Sequence, residues 1–212
     1  METKFITILP RFRDYAPRGS VSQLFLIWDW WNDYGYRTLF EIVYIDENSK
    51  KHDIGTIKIG FYGQKETQIN LKAGESFERL PDDHFSLVSA DYYEELNNPS
   101  PLIREKILST LNDIAKYSKI YEKVILENVT QISLLRGISQ TEVLGQLRRM
   151  ANGGNKLTPY NFKFERKLNP GKQPPIILSF NVLPETSPPT NSNVLIGRNG
   201  TGKTTLLHPL WK

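Results

Sequence analysis

A glycine-rich segment near the end of the chain constrains the fold more than any other feature of the sequence. Residues 197–204, GRNGTGKT, fit the pattern G-x-x-x-x-G-K-[ST] that is typical of phosphate-binding loops. The apolar run at 194–196 predicts a buried strand before the loop, and the residues from Thr204 onward predict the start of a helix. Because the motif requires a strand, a loop and a helix in this order, the sequence predicts a site for the phosphates of a nucleotide.

The residue types in the loop suit the binding of a triphosphate. The glycines at 197, 200 and 202 permit positive φ and let the backbone approach a ligand closely. Successive backbone N–H groups can then converge on anionic oxygens, and the start of the following helix adds partial positive charge. We expect Lys203 to reach the β- and γ-phosphates and the Thr204 hydroxyl to bind Mg²⁺. No catalytic residue is predicted. The candidate site comprises Gly197, Arg198, Asn199, Gly200, Thr201, Gly202, Lys203, Thr204 and Thr205.

The composition indicates a globular protein without a membrane segment. The chain has 212 residues, of which 39% are hydrophobic and 24% are charged, which is ordinary for a folded protein. Its formal charge of +4 is too small to indicate nucleic-acid binding by itself. The absence of cysteine excludes disulfides and thiolate chemistry. Because the sequence has no apolar run of about 18 residues and no signal peptide, we expect a cytoplasmic protein.

Residues 1–98 are predicted to form a β-rich region. Apolar, β-prone segments at 4–9, 24–28, 38–46 and 54–62 predict strands. The segment 38–46, TLFEIVYID, has apolar residues on both faces and is therefore expected in the centre of a sheet. A polar turn links this segment to 54–62, and the pair predicts a β-hairpin.

Five aromatic residues crowd into nine positions around the end of the second predicted strand. They are Trp28, Trp30, Trp31, Tyr34 and Tyr36. One interpretation is a platform on which nucleic-acid bases stack, and the other is a core edge filled by large rings. The sequence favours the core edge, because few basic residues lie nearby.

A small helical region is predicted at 99–152. The serine–proline pair at 100–101 is typical of a helix start, and residues 118–128 carry apolar side chains along one helical face. The segment 139–142, SQTE, is a capping-box signature for a further helix.

Residues 153–212 complete the predicted organisation. Segments 160–166 and 176–182 predict two strands before the loop, with a turn at 169–171 between them. The sequence therefore predicts an α+β chain made of a β-rich region, a helical insert and antiparallel strands that lead to the phosphate-binding loop.

The segment GRNGTGKTTLL resembles the loop of ABC-type P-loop ATPases, a group that includes the SMC, RecF and OLD-like proteins. The pair Asn199-Gly200 is the specific feature, and the strands at 160–166 and 176–182 are similar to the antiparallel strands that precede the loop in that group. The segments WNDYGYRTLFEIVYID and IGTIKIG are similar to the start of AAA-type ATPases of bacterial anti-phage defence systems. The resemblance implies ATP and Mg²⁺ as ligands and the antiparallel, β-rich N-terminal part of an ATPase head.

The sequence departs from that family after the loop. An ABC-type ATPase needs a signature motif, a Walker B aspartate with a catalytic glutamate, and a switch histidine, and nine residues follow Lys203 here. Pro209 is also unexpected, because a proline breaks the interior of a helix. We therefore expect a truncated chain, the N-terminal portion of a larger ATPase, that does not hydrolyse ATP alone. Its incomplete nucleotide-binding fold would be completed by a partner protein or by a second copy in a homo-oligomer.

The alternative function is a non-catalytic protein-interaction module in which the loop is vestigial. The family's role in DNA transactions leaves nucleic acid open as a further partner. Neither an Asn-Lys-x-Asp segment for guanine nor a G-x-G-x-x-G segment after the first strand is present, and their absence disfavours GTP and dinucleotides.

Overall fold

The computed structural model describes residues 4–10, 19–98, 100–166, 175–184, 186 and 189–207. The chain divides into two compact units, Met1–Lys156 and Leu157–Lys212. The chain is mixed α+β, as the sequence predicts. Within the described residues, no helix combines the length and the apolar character that crossing a membrane requires.

A six-stranded sheet forms the frame of the first unit. Its strands are β1 (Ile6–Leu9), β2 (Gln23–Trp28), β3 (Leu39–Ile45), β4 (Lys51–Phe61), β5 (Ser76–Phe77) and β6 (His84–Val88). They lie in the order β5-β1-β2-β3-β4-β6. The four predicted strands are confirmed, and β3 lies between β2 and β4 as its two apolar faces indicate. No local sequence pattern predicts β5 or β6.

One pair of strands departs from the predicted antiparallel arrangement. β1 and β2 run parallel, with Ile6 opposite Leu24, whereas the other neighbouring pairs in the sheet are antiparallel. The connection between β1 and β2 has the dozen or so residues that a parallel crossover needs. The pair β1–β2 therefore differs from the predicted antiparallel, β-rich arrangement, and the other pairs of the sheet agree with it.

Helices follow the sheet along the chain. They are α1 (Ala90–Asn97), α2 (Pro101–Thr110), α3 (Ser118–Val124), a π-helical turn (Thr130–Leu134), α4 (Gln140–Glu142), a second π-helical turn (Val143–Leu147) and α5 (Arg148–Ala151). Two predicted starts are confirmed by their caps. The Ser100 hydroxyl accepts a hydrogen bond from the backbone N–H of Ile103, and the Ser139 hydroxyl accepts one from Glu142.

The sheet and the helices share one hydrophobic core. Its fully buried large side chains include Tyr92 and Tyr93 of α1, Phe40 of β3 and Phe85 of β6, and burying each one contributes about 1.5–3 kcal/mol. Gly60 lets β4 lie close to Val129, because a Cβ at Gly60 would lie 3.2 Å from the Val129 side chain. Residues on both sides of the boundary predicted at 98/99 therefore contribute to the same core.

The second unit contains a hairpin and a short helix. β7 (Tyr160–Arg166) and β8 (Ile176–Val182) pair antiparallel, which confirms both predicted strands, and α6 (Lys203–Leu207) follows the glycine-rich loop. The predicted turn at 169–171 lies outside the described residues. One face of the hairpin is apolar, with the rings of Phe162 and Phe180 stacked at 4.5 Å between centroids.

Candidate phosphate-binding loop

The residues before the loop do not form the strand that the sequence predicts. Residues 193–198 have no strand pairing, and Val194 and Ile196 are 84% and 89% exposed. A buried parallel strand needs hydrogen-bonded neighbours on both sides. In the described part of the second unit, β7 and β8 pair with each other and neither pairs with residues 194–196. The prediction of a buried strand at 194–196 is therefore wrong.

Two of the three loop glycines are needed for their backbone conformation. Gly200 and Gly202 have φ of +83° and +82°, values that residues with a side chain rarely adopt. Gly197 differs, because its φ is not left-handed and a Cβ there would lie 3.0 Å from the Thr201 hydroxyl oxygen. Gly200 and Gly202 therefore use the positive φ that glycine permits, whereas close contact is the constraint at Gly197.

The Lys203 side chain lies across the loop. Its Nζ donates hydrogen bonds to the carbonyl oxygens of Gly197, at 2.7 Å, and Arg198, at 2.8 Å. The Thr201 hydroxyl donates to the same Arg198 carbonyl at 2.8 Å. An ammonium group has three N–H donors. Two of them hold the start of the helix against the start of the loop, and the third can serve an anion.

The remaining candidate residues lie on the exposed surface of the loop and the first turn of α6. Asn199 is in a turn with Gly200, and Thr204 and Thr205 are exposed in the first helical turn. The backbone N–H of Leu206 donates to the Gly202 carbonyl at 2.9 Å, so α6 begins directly after the last glycine. The predicted helix start is confirmed, and Pro209 lies outside the described residues.

A cavity of about 330 Å³ adjoins the loop. This volume is within the range of small-ligand sites. Its lining residues are Ile176, Leu195, Ile196, Thr201, Gly202, Lys203, Thr205 and Leu206. Polar groups come from the loop and the start of α6, while Ile176 of β8 contributes apolar surface that no sequence motif indicates. The cavity therefore offers one polar and one apolar wall to a ligand.

The donor groups at the loop suit a nucleotide better than a metal ion alone. Backbone N–H groups in the first turn of a helix lack a helical partner and bind anions, and Lys203 adds a cation. No group of three or more His, Asp or Glu side chains that could hold a metal occurs in the described ranges. Mg²⁺ usually binds through substrate phosphates, waters and one or two protein oxygens, so the Thr204 hydroxyl fits that role with a nucleotide present.

A second polar site lies in the first unit around Asp33, whose side chain is 1% exposed. Its carboxylate accepts hydrogen bonds from Lys58 at 2.7 Å, from the Trp31 indole at 2.8 Å and from the Ser133 hydroxyl at 2.9 Å. Arg136 forms a further ion pair with it. Burial by itself raises the pKa of Asp33, but these hydrogen bonds outweigh it and lower the pKa to about 2.

The sequence gives no local signal for this site. Arg136 is 103 positions from Asp33 along the chain, and Lys58 is 25 positions away. The π-helical turn Thr130–Leu134 and β4 bring these residues to the loop that carries Asp33. Contacts of such long range depend on the tertiary fold, which no short motif encodes.

The same loop presents aromatic rings to the solvent. We define the aromatic loop as residues 28–37. Trp30, Trp31 and Tyr34 are 59%, 54% and 73% exposed, whereas Tyr36 is 3% exposed. Trp28 packs against the core, with its ring 5.4 Å from that of Phe40. The core-edge interpretation is therefore confirmed for Trp28 and Tyr36 and wrong for the other three rings.

Comparison with known proteins gives one informative similarity. No protein-family model matches the chain, and no solved structure matches it. The chain is 38% identical over 196 residues to protein ea59 of Escherichia phage lambda. The matched region covers 92% of this chain and 37% of the phage protein. The chain thus spans little more than a third of the length of that relative.

Proposed function

We propose that the chain is the ATP-binding N-terminal portion of an ABC-type ATPase. The site is the loop at 197–205, with Mg²⁺ bound beside Thr204. The observation that carries the proposal is the position of Lys203, whose ammonium group bridges the carbonyls of Gly197 and Arg198 across the loop. The left-handed conformations of Gly200 and Gly202 support it, because they let backbone N–H groups converge on an anion.

In this proposal the loop binds phosphate and does not by itself break a bond. The backbone N–H groups at the start of α6 would hold the phosphate oxygens, and Lys203 would neutralise part of their charge. Mg²⁺, when bound, supplies further charge neutralisation. The proposal assigns no residue to positioning the attacking water, so we expect the chain alone to bind ATP without turning it over.

The larger context of the proposal comes from the relative and from the family resemblance. Protein ea59 of phage lambda is much longer than the region it shares with this chain. On the family resemblance of the loop, we propose a longer ATPase in a bacterial defence or DNA-transaction complex as the setting, with a second copy or a partner protein completing the nucleotide-binding fold.

Isothermal titration calorimetry with ATP and Mg²⁺ tests the binding claim. We expect saturable heat from the native chain and at least tenfold weaker binding for Lys203→Ala, because a charge-assisted hydrogen bond contributes about 1.5–3 kcal/mol. Lys163→Ala is the matched control, since Lys163 is an exposed lysine on β7 of the same unit, and it should bind like the native chain. Equal heats for the native chain and Lys203→Ala would refute nucleotide binding at this loop.

A second candidate function is protein interaction through the apolar face of the β7–β8 hairpin. Tyr160 and Phe162 are 53% and 44% exposed on this face, and an isolated two-stranded hairpin is marginally stable in water. A protein partner that covers this face would therefore stabilise the hairpin. This candidate treats the phosphate-binding loop as vestigial and needs no nucleotide.

Sedimentation of the purified chain over a range of concentrations tests the second candidate. Phe162→Ser should weaken self-association about tenfold or more, as expected when a central interface aromatic is lost. Ile177→Ser is the control, because Ile177 is 55% exposed and pairs with Glu165 on the opposite face. A native chain that stays monomeric at every concentration would contradict the homo-oligomer.

A further inference from the structure

Hydrogen bonds hold the Trp31 ring and the backbone of the aromatic loop. The Trp31 indole N–H donates to Asp33 at 2.8 Å, and its backbone N–H donates to the Asp29 carboxylate, also at 2.8 Å. The Gly35 N–H donates to the Asn32 side chain at 2.6 Å. The buried pairing of Asp33 with Lys58 fixes the centre of the loop. The loop that carries the exposed rings is therefore tied down by hydrogen bonds, which lowers the ordering cost of binding.

Each exposed ring has a guanidinium group beside it. The guanidinium carbon of Arg37 lies 5.6 Å from the centroid of Trp30. That of Arg136 lies 5.7 Å from Trp31 and 5.2 Å from Tyr34. Trp30 and Trp31 are consecutive residues, and each ring lies beside a different guanidinium group.

A cavity of about 250 Å³ lies next to Trp30. Its lining residues are Pro10, Trp28, Trp30, Arg37, Ile69, Leu71, Lys72 and Ala73. The walls are mainly apolar, and the two charged groups, Arg37 and Lys72, are both cations. Among the described residues, no ion pair joins either of them to a carboxylate. The cavity therefore complements a ligand that has a flat apolar face and a negative charge.

Single-stranded nucleic acid has both properties at every nucleotide. Its unpaired bases stack on aromatic rings, and its phosphates lie beside cations. In a duplex the same base faces are stacked on one another and unavailable. We propose that the aromatic loop binds single-stranded nucleic acid, with bases stacked on Trp30 and Trp31 and phosphates beside Arg37 and Lys72. This site lies in the first unit, and its proposed activity does not depend on the proposed ATP site.

Fluorescence anisotropy of a labelled oligothymidylate of about 16 nucleotides, titrated with the full chain, tests the proposal. Trp30→Ala should weaken binding about tenfold through the loss of one base stack, and Trp30→Phe should restore most of the affinity. Tyr62→Ala is the matched control, because Tyr62 is a 62% exposed ring outside the aromatic loop. Circular dichroism melting of each variant establishes that it is folded.

The salt dependence of binding tests the role of the cations. Arg37→Gln and Lys72→Gln should each weaken binding and reduce the slope of log affinity against log salt by about one. Lys119→Gln, which alters an exposed lysine on α3, should change neither quantity. Glu66→Gln should tighten binding, because the Glu66 side chain packs beside Gly35 at the tip of the loop and repels phosphate.

Three results of the oligonucleotide titrations would overturn the proposal. They are no binding of the oligonucleotide, equal losses for Trp30→Ala and Tyr62→Ala, and equal affinity for a duplex of the same length. If Trp30→Ala instead disrupts self-association with no effect on oligonucleotide binding, the aromatic loop is a protein interface and the proposal is wrong. Lys203→Ala should retain oligonucleotide binding, so failure of the ATP site and failure of this site are distinguishable.

Discussion

The two units of the chain differ in where they place large apolar side chains. In the first unit, Tyr92, Tyr93 and Phe40 are at most 1% exposed, whereas in the second unit Phe162 and Ile177 are 44% and 55% exposed. The first unit therefore stabilises itself through its own core. The recognisable motif lies in the second unit, where tertiary packing contributes least. Its geometry comes from local chemistry, namely two left-handed glycines and one lysine that closes the loop.

The largest effect that we predict is a loss of stability in the first unit when Asp33 is replaced. Asp33→Ala leaves Lys58 and Arg136 without their carboxylate, and losing one partner of a buried ion pair costs about 3–5 kcal/mol. Because the Arg136 side chain is 42% exposed, we expect about 3 kcal/mol in the free energy of unfolding of the first unit. Urea denaturation followed by tryptophan fluorescence measures it.

An exposed ion pair in the same unit provides the control. Asp53 pairs with Lys51 at 2.8 Å, but the Asp53 side chain is 72% exposed. Surface ion pairs contribute about 0–1 kcal/mol, so Asp53→Ala should destabilise the unit by less than about 1 kcal/mol. Equal destabilisation by the two variants would show that burial of Asp33 does not matter.

A second prediction concerns pH. Burial raises the pKa of Asp113 to about 6 from 3.8, against the opposing hydrogen bonds from the Lys116 backbone N–H and the Tyr93 hydroxyl. A carboxyl group whose pKa rises on folding stabilises the fold fully below the unfolded value. That stability is lost as pH increases through the folded value. The first unit should therefore lose about 3 kcal/mol between about pH 4 and pH 7 through this group.

Asp113→Asn isolates this contribution, because an amide does not titrate. The difference in unfolding free energy between the variant and the native chain should grow in favour of the variant from about pH 4 to pH 7. Urea midpoints at several pH values measure it. Parallel pH profiles for the two chains would mean that Asp113 ionises in the folded state without penalty.

A smaller and more local effect is predicted in the second unit. Gly202→Ala introduces a side chain at φ of +82°, although no atom lies within 4 Å of the new Cβ. The left-handed conformation costs an L-residue about 1–2 kcal/mol. We expect about tenfold weaker ATP binding by calorimetry and an unchanged melting temperature of the first unit. Unchanged ATP affinity would show that this conformation is not needed for binding.

The sequence predicts most of the fold where local patterns are strong. The strands β1 to β4, β7 and β8 and the capped starts of α2 and α4 all have clear periodicity or a capping residue. The short β5 has two residues, and α1 has no side-chain cap at Ser89, so neither has a strong signal. At 194–196 the sequence instead predicts a strand that the structure lacks. Apolar residues form a strand only when neighbouring strands supply hydrogen bonds.

The candidate sites show the same division between local and long-range information. The loop motif itself indicates that Gly200 and Gly202 can adopt positive φ. The positions of Trp31 and Tyr34 do not follow from a local motif, because both rings lie beside Arg136, which pairs with Asp33 across 103 positions. The number of basic residues near the aromatic loop in the sequence is therefore a poor guide to whether its rings are buried.

Hydrogen–deuterium exchange of the full chain with and without ATP and Mg²⁺ detects nucleotide binding at the loop itself. The account predicts that ATP slows amide exchange at residues 197–207 and leaves the core strands β2 and β3 unchanged. The Lys203→Ala variant should show little or no such protection. Unaltered exchange across 197–207 at saturating ATP, or equal protection in the Lys203→Ala variant, would contradict the claim that this loop binds the phosphates of ATP.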